Sequence, residues 1–196
     1  TDGSDPRLVG GAISPLAQAY NVASTTDSIF DAGSNWKYRD NGVDLDSSWR
    51  QTSFSDLAWA SGNAEFGYGD GDEATTLSYG ADPNNKYITT YFRKQFSVAN
   101  VSEITGLKLS LKRDDGAVIY INGVEAARSN MPTGPVNFST LSAAGVGGAD
   151  ETKFYDLVLD PGLLVAGNNL IAVEIHQNVP SSTDISFDAA LSATRQ

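Results

Sequence analysis

In "LKLSLK" the apolar Leu107, Leu109 and Leu111 alternate with Lys108, Ser110 and Lys112, the period of two that marks a strand with one face buried. "NLIAVEIHQ" repeats the pattern, with Ile171, Val173 and Ile175 turned one way and Ala172, Glu174 and His176 the other. In "DISFDAALSA", Ile185, Phe187, Ala189 and Leu191 face in, while Ser186, Asp188 and Ala190 face out. "ITTYFRKQFSV" is dense in β-branched and aromatic residues and predicts a long strand with Phe92, Phe96 and Val98 on one face. "VIYINGVEAA" predicts a hairpin, because Asn122 and Gly123 both tolerate the positive φ of a two-residue type I′ turn. The "DDG" of Asp114, Asp115 and Gly116 reads as the turn that feeds it.

Helical periodicity is nearly absent, and the best helical turn is "PGLLVAG", bounded by Pro161 and Gly167. Short apolar runs separated by Gly, Asp, Asn and Pro clusters indicate an all-β fold, an antiparallel β-sandwich or jelly roll. No internal repeat is present. Residues 1–27 are small and polar and read as a linker or N-terminal arm with one strand near Tyr20 to Ala23, ahead of a single domain over 28–196.

Composition narrows the function classes. A chain of 196 residues with 40% hydrophobic content supports one sizeable core. No apolar run is long enough to span a bilayer, and no basic stretch followed by an apolar one opens the chain. It begins at Thr1 and its only methionine is Met131, so a processed or excised piece of a longer protein is expected. The formal charge of −11 opposes binding to phosphate backbones and speaks against nucleic acid as a partner. The absence of cysteine excludes disulfides and thiol chemistry but leaves the compartment open. Asp outnumbers Glu and stands mostly beside Gly, Asn or Ser, which places the acidic surplus in loops, where divalent cations are also held.

The order "YFRKQFSV", "LKLSLKRDDGAVIYINGVEAA", "LLVAGNNLIAVEIHQ", "ISFDAAL" resembles the galactose-binding-like jelly roll found in sugar-binding domains of glycoside hydrolases and in non-catalytic carbohydrate-binding modules. "SSWRQTSFSDLAWASGNAEFGYGDG" is similar to the segment preceding that core in accessory domains of secreted bacterial polysaccharide-degrading and phosphoesterase proteins. The resemblance spans Trp36 to Leu191 and implies a β-sandwich that commonly holds a structural calcium and often binds glycans through its loops. The scaffold carries many functions, so it does not name the ligand.

The residues supply candidates of their own. Glycoside hydrolysis needs two carboxylates roughly 5 to 9.5 Å apart across a bond, and the adjacent Asp114 and Asp115 are expected to diverge. His176 is the only histidine, and no G-x-S-x-G elbow or H-E-x-x-H pattern accompanies it. It reads either as a polar contact beside Glu174 or, preferably, as a histidine bonded to a neighbouring loop. Sugar binding asks for aromatic faces beside hydrogen-bonding groups, for which Trp59, Tyr68 and Tyr79 are the candidates, with Asn130, Glu174 and His176 as polar partners. The competing reading folds these rings beneath a loop as a satellite core; Trp36 and Trp49 are assigned to the core outright. Calcium takes six to eight hard oxygen ligands, offered by Asp40, Asp44 and Asp46 in "RDNGVDLDSS" and by Asp70, Asp72 and Glu73 in "GYGDGDEATT". A further arrangement, suggested by the resembling modules, joins Asp184 or Asp188 to the N-terminal region. Arg93, Lys108, Lys112 and Arg113 form either a basic stripe or, preferably, a solvated strand face.

The expected function is a non-catalytic carbohydrate-binding accessory module of a secreted or cell-surface bacterial multidomain protein, tethering a catalytic domain of its parent chain to a polysaccharide, with calcium in a structural role. The alternative is a protein-interaction or spacer domain that packs on a catalytic neighbour and binds no glycan. An enzyme in its own right, such as a small lyase or esterase, comes third, since one histidine without a nucleophile motif leaves little machinery.

Overall fold

A computed structural model describes residues 23–196. Most of the expected arm, with the strand placed near Tyr20, lies outside the described residues. Among the described residues twelve strands build two sheets. The first runs in the order β10 (Phe154–Leu159), β7 (Ile104–Asp114), β12 (Ile185–Arg195), β4 (Phe66–Tyr68), β5 (Thr75–Thr76), and β1 (Thr25–Phe30) pairs with the last part of β12. The second runs β3 (Ala60–Asn63), β2 (Asn35–Arg39), β6 (Thr89–Val98), β11 (Gly167–His176), β8 (Gly116–Ile121), β9 (Val124–Ser129). All pairs are antiparallel except β4 with β5. The architecture is therefore the expected all-β sandwich.

The alternating strands place their apolar sets as the period of two requires. Leu107, Leu109, Leu111, Phe187, Ala189 and Leu191 from the first sheet meet Phe92, Ile119, Ile171, Val173 and Ile175 from the second in one buried cluster. At its centre Phe92 and Phe187 have ring centroids 4.2 Å apart, and Trp36 packs edge-on against Phe187 at 5.1 Å. Asn122 and Gly123 take φ of 51° and 87° and close the β8–β9 hairpin. The helical turn expected at "PGLLVAG" is a single 3₁₀ turn, Pro161–Leu163, capped by Asp160.

Two expectations change. The "DDG" segment is not a local turn into the hairpin: β7 ends at Asp114 in one sheet and β8 begins at Gly116 in the other, so Asp115 alone carries the chain between the layers. The outward face of the second sheet is also buried. A second cluster of Trp49, Trp59, Tyr91, Val118, Tyr120, Leu170 and Ala172 lies there, with Leu45, Phe54 and Val136 packed on it. The segment from Leu45 to Trp59 covers this face, and Arg93 pins it. The Arg93 side chain is fully buried; its Nε lies 2.8 Å from Asp56 Oδ2, and its guanidinium donates to the carbonyls of Trp49, Gln51 and Phe54. Neither the basic stripe nor the solvated strand face forms, since Arg93, Lys112 and Arg113 are buried, Arg93 belongs to the second sheet and Lys112 is held by Glu65; Lys108 alone of the four is exposed.

The register also orients the molecule. Thr89, Asp114, Gly116, His176 and Ser186 are neighbours at one end, and Val98, Gly167, Ile104 and Arg195 lie at the other. Thr25 pairs with Arg195 at that second end.

Candidate functional site

The end of the sandwich that carries Thr89 and His176 is built by four loops and holds two features. The first is a half-open cleft of about 210 Å³ lined among others by Val43, Asn85, Lys86, Tyr87, Phe138 and Ser139. Glycines set its wall: Gly42 has φ +70°, and a Cβ there would run into the Tyr87 ring, while one at Gly80 would stand 3.0 Å from the same ring. Lys86 is buried beneath it. Its ammonium donates to the Ser182 carbonyl and lies 5.6 Å from the Tyr68 ring centroid and 5.4 Å from that of Tyr79, a pairing of cation and ring faces. The Lys86 amide donates to Pro180 O at 2.8 Å. Val43 and Phe138 keep 42% and 39% of their surface exposed on the cleft rim.

The sequence candidates for sugar contact divide. Trp59 is 6% exposed and stacks with Trp49 at 6.4 Å in the second cluster, and Tyr68 is 8% exposed; neither ring offers a face to solvent. Tyr68 instead accepts from Gln177 Nε2 at 2.8 Å, and burial pushes its phenol well above the usual range. Tyr79 is exposed and packs edge-on against Tyr68 at 5.1 Å, adjoining Lys86 and Gly80. Asn130 takes φ 53° and donates to Asp115 O and Ala144 O, tying two loops together. Glu174 is buried and accepts from the Tyr120 hydroxyl at 2.7 Å.

His176 is fully buried, which rules out the exposed polar contact. The loop that brings Phe138 and Thr140 covers it. Nδ1 lies 2.7 Å from Thr140 O, a pure acceptor, so the proton is on Nδ1. Thr89 Oγ1 lies 3.0 Å from the same nitrogen and donates its own proton to Phe138 O. Nε2 lies 3.5 Å from Glu174 Oε2. This is the loop-bonded histidine.

The second feature is acidic. Carboxylate oxygens of Asp70, Glu151 and Asp184 lie within 4.8 Å of one another, and Glu65, Asp70 and Asp72 form a second such group. Glu65 in that second group is engaged by Lys112. The other metal candidates are dispersed, and Asp40, Asp46 and Asp188 accept from backbone amides. Asp40 accepts from Ser78 N at 2.7 Å, and Asp46 caps the 3₁₀ turn at Ser48 N. Asp188 accepts from Gly33 N and Ala189 N, which joins the last strand to the turn after β1. Asp44 is exposed and belongs to neither acidic group. Sequence reasoning missed Glu151, and it read Asp114 as a turn residue and as one of a diverging carboxylate pair with Asp115.

No protein-family model matches the sequence, and no curated protein matches it. Solved structures do. A β-glucuronidase 2 of Bacteroides uniformis superposes with a TM-score of 0.55 at 18% identity, over 87% of this chain and 18% of that one. The likeness is one of fold. A calcium-binding mutant of the same enzyme gives 0.53 at 17% identity over the same shares. A β-glucuronidase of an uncultured Clostridium sp. gives 0.52 at 15% identity, over 90% of this chain and 30% of that one. The chain thus corresponds to a β-sandwich portion spanning less than a third of each of these enzymes. Among the described residues no helix is long and apolar enough to cross a membrane.

Proposed function

We propose that this chain is a non-catalytic carbohydrate-binding module of the galactose-binding-like, jelly-roll type, part of a secreted bacterial protein with a separate catalytic domain. The observation that carries the reading is the loop-end cleft. Phe138 and Tyr87 supply apolar faces for the C–H side of a pyranose, and Asn85, Ser139 and the cleft-lining backbone supply partners for its hydroxyls. At about 210 Å³ it is smaller than the roughly 300 Å³ at which drug-sized pockets begin, which suits one sugar ring held at a chain end or side branch. Likeness to portions of glycoside hydrolases supports the carbohydrate context. A structural calcium ion that orders the acidic loops belongs to the same reading.

A glycan array and calorimetry on the folded protein test it. Binding of a defined glycan is expected, with a loss of at least tenfold in affinity in Phe138→Ala and in Asn85→Ala at unchanged melting temperature. Equal binding by both variants would remove the cleft from the argument.

A second reading has its own observation. On β10, a terminal strand of the first sheet, Phe154 and Val158 are 41% and 86% exposed, an arrangement that isolated domains usually avoid. A domain that binds no glycan but packs on a catalytic neighbour would use this edge.

A further inference from the structure

We propose that Asn41 is a site of spontaneous covalent modification, at which this protein loses ammonia and gains a carboxylate beside the wall of the cleft. Among the described residues asparagine or aspartate precedes glycine at four places: Asn41-Gly42, Asp70-Gly71, Asp115-Gly116 and Asn122-Gly123. In such a pair the glycine nitrogen can attack the preceding side-chain carbonyl carbon, because no Cβ on the glycine hinders the approach. The fold closes that route at three of the four and leaves it open at one.

Asn122 is locked. Its Nδ2 donates to Leu163 O at 2.9 Å and to Asn169 Oδ1 at 2.8 Å, its Oδ1 accepts from Leu170 N at 2.9 Å, and the turn holds it at φ 51°. Asp115 is 1% exposed, with Oδ1 accepting from Val146 N at 2.6 Å and Oδ2 from Asn178 N at 2.7 Å. At Asp70 the attacking atom itself is taken, since Gly71 N donates to Glu73 Oε2 at 3.0 Å. Asn41 differs on every count. It is exposed, in the irregular stretch between β2 and the 3₁₀ turn Ser47–Arg50. Among the described residues neither its side chain nor Gly42 N has a hydrogen-bond partner, although Asp40 beside it accepts from Ser78 N. The other three pairs must break hydrogen bonds to reach the attack geometry, and this one breaks none.

The reaction balances with water alone. Gly42 N gives its proton to hydroxide and bonds to Asn41 Cγ; the Cγ–Nδ2 bond breaks, and Nδ2 takes a proton and leaves as ammonia. Water then opens the cyclic imide. Cleavage of the new bond between Gly42 N and Cγ yields aspartate. Cleavage between Gly42 N and the main-chain carbonyl carbon of residue 41 yields an isoaspartyl linkage, in which the backbone runs through Cβ and is longer by that carbon. Either product adds a negative charge. Gly42 and Tyr87 both line the cleft, and a Cβ at Gly42, where φ is +70°, would run into the Tyr87 ring. The lengthened chain therefore presses Gly42 and Tyr87 against one another and shifts the cleft wall.

The test follows the folded protein during incubation in warm, mildly alkaline buffer, and its outcome does not depend on whether the cleft takes a sugar. Peptide mapping by mass spectrometry reads each Asn-Gly pair, and an isoaspartyl methyltransferase with a labelled methyl donor counts the isoaspartyl product. The peptide carrying position 41 should exchange amide for carboxyl at least tenfold faster than the peptide carrying position 122. In guanidinium chloride, where the hydrogen bonds of Asn122 are released, the two rates should converge. Asn41→Gln should abolish the fast reaction at unchanged melting temperature, since glutamine would have to close a larger ring. Equal rates at 41 and 122 in the folded protein would overturn the proposal, and so would a position 41 that reacts only in denaturant.

Discussion

Neighbouring aspartates meet opposite fates at the crossing between the sheets. Asp115 takes two backbone amides and is spent on structure, while Asp114, one residue earlier and on the outward face of β7, has no donor. The sequence shows two adjacent acids and a glycine; it does not show which of them meets amides, since Val146 and Asn178 arrive from distant segments. Asp188 illustrates how such burial becomes a pH effect. Its carboxyl is raised above the usual range by burial, opposed by the Gly33 and Ala189 amides and by Lys112, and assisted by Glu65. An acid raised in the folded state gives up its proton first in the unfolded one, so its contribution to stability falls as pH climbs from about 4 through its raised value. Urea unfolding between pH 4 and 7 should show this downward slope, and Asp188→Asn should flatten it. An identical slope in the variant would assign the effect to other carboxyls.

Individual strands were legible because alternation is a local property. Leu107, Leu109 and Leu111 point inward as their spacing demands, and Asn122-Gly123 closes its hairpin because few other pairs accept two positive φ values. What the alternation hid is the second covering. Arg93, Glu174 and His176 occupy outward positions and look like solvent contacts, yet all three are buried under loops whose anchoring contacts lie more than thirty residues away in sequence. The 45–59 segment depends on the Arg93 fork, which reaches three carbonyls and one carboxylate at once. Lysine is equally charged but presents no planar fork. Arg93→Lys should therefore cost about 3 kcal/mol, the range for breaking a buried pair, and shift tryptophan emission to the red as Trp49 and Trp59 become wet. Unchanged emission at unchanged stability would show that the segment holds by its rings alone.

On the scale of the whole molecule, the loop from Asn178 to Asp184 connects the acidic cluster to Lys86 of the cleft. Lys86, which lines the cleft, is held by Pro180 O and Ser182 O, and Gln177 ties Tyr68 to the Asp184 carbonyl. A structural calcium ion that ordered the acidic loops, as proposed, would also fix the loop that seats Lys86, so stripping calcium should weaken glycan binding severalfold. Glycan should raise calcium affinity by the same factor, since coupling between two binding sites is reciprocal. Glycan titrations with and without chelator decide this, and equal affinities would mean two independent sites. Sequence alone named the acidic Asp70 turn and the aromatic Tyr79 among several candidates, but the loop that joins their surroundings exists only in the folded chain.

The pairing of Thr25 with Arg195 puts the two ends of the described chain side by side at the far end of the sandwich. From Ser186 beside the acidic cluster to Arg195, β12 travels roughly 30 Å at about 3.3 Å per residue. Whatever continues the chain on either side is therefore attached at one pole, and the loops that would meet a ligand are carried at the opposite pole.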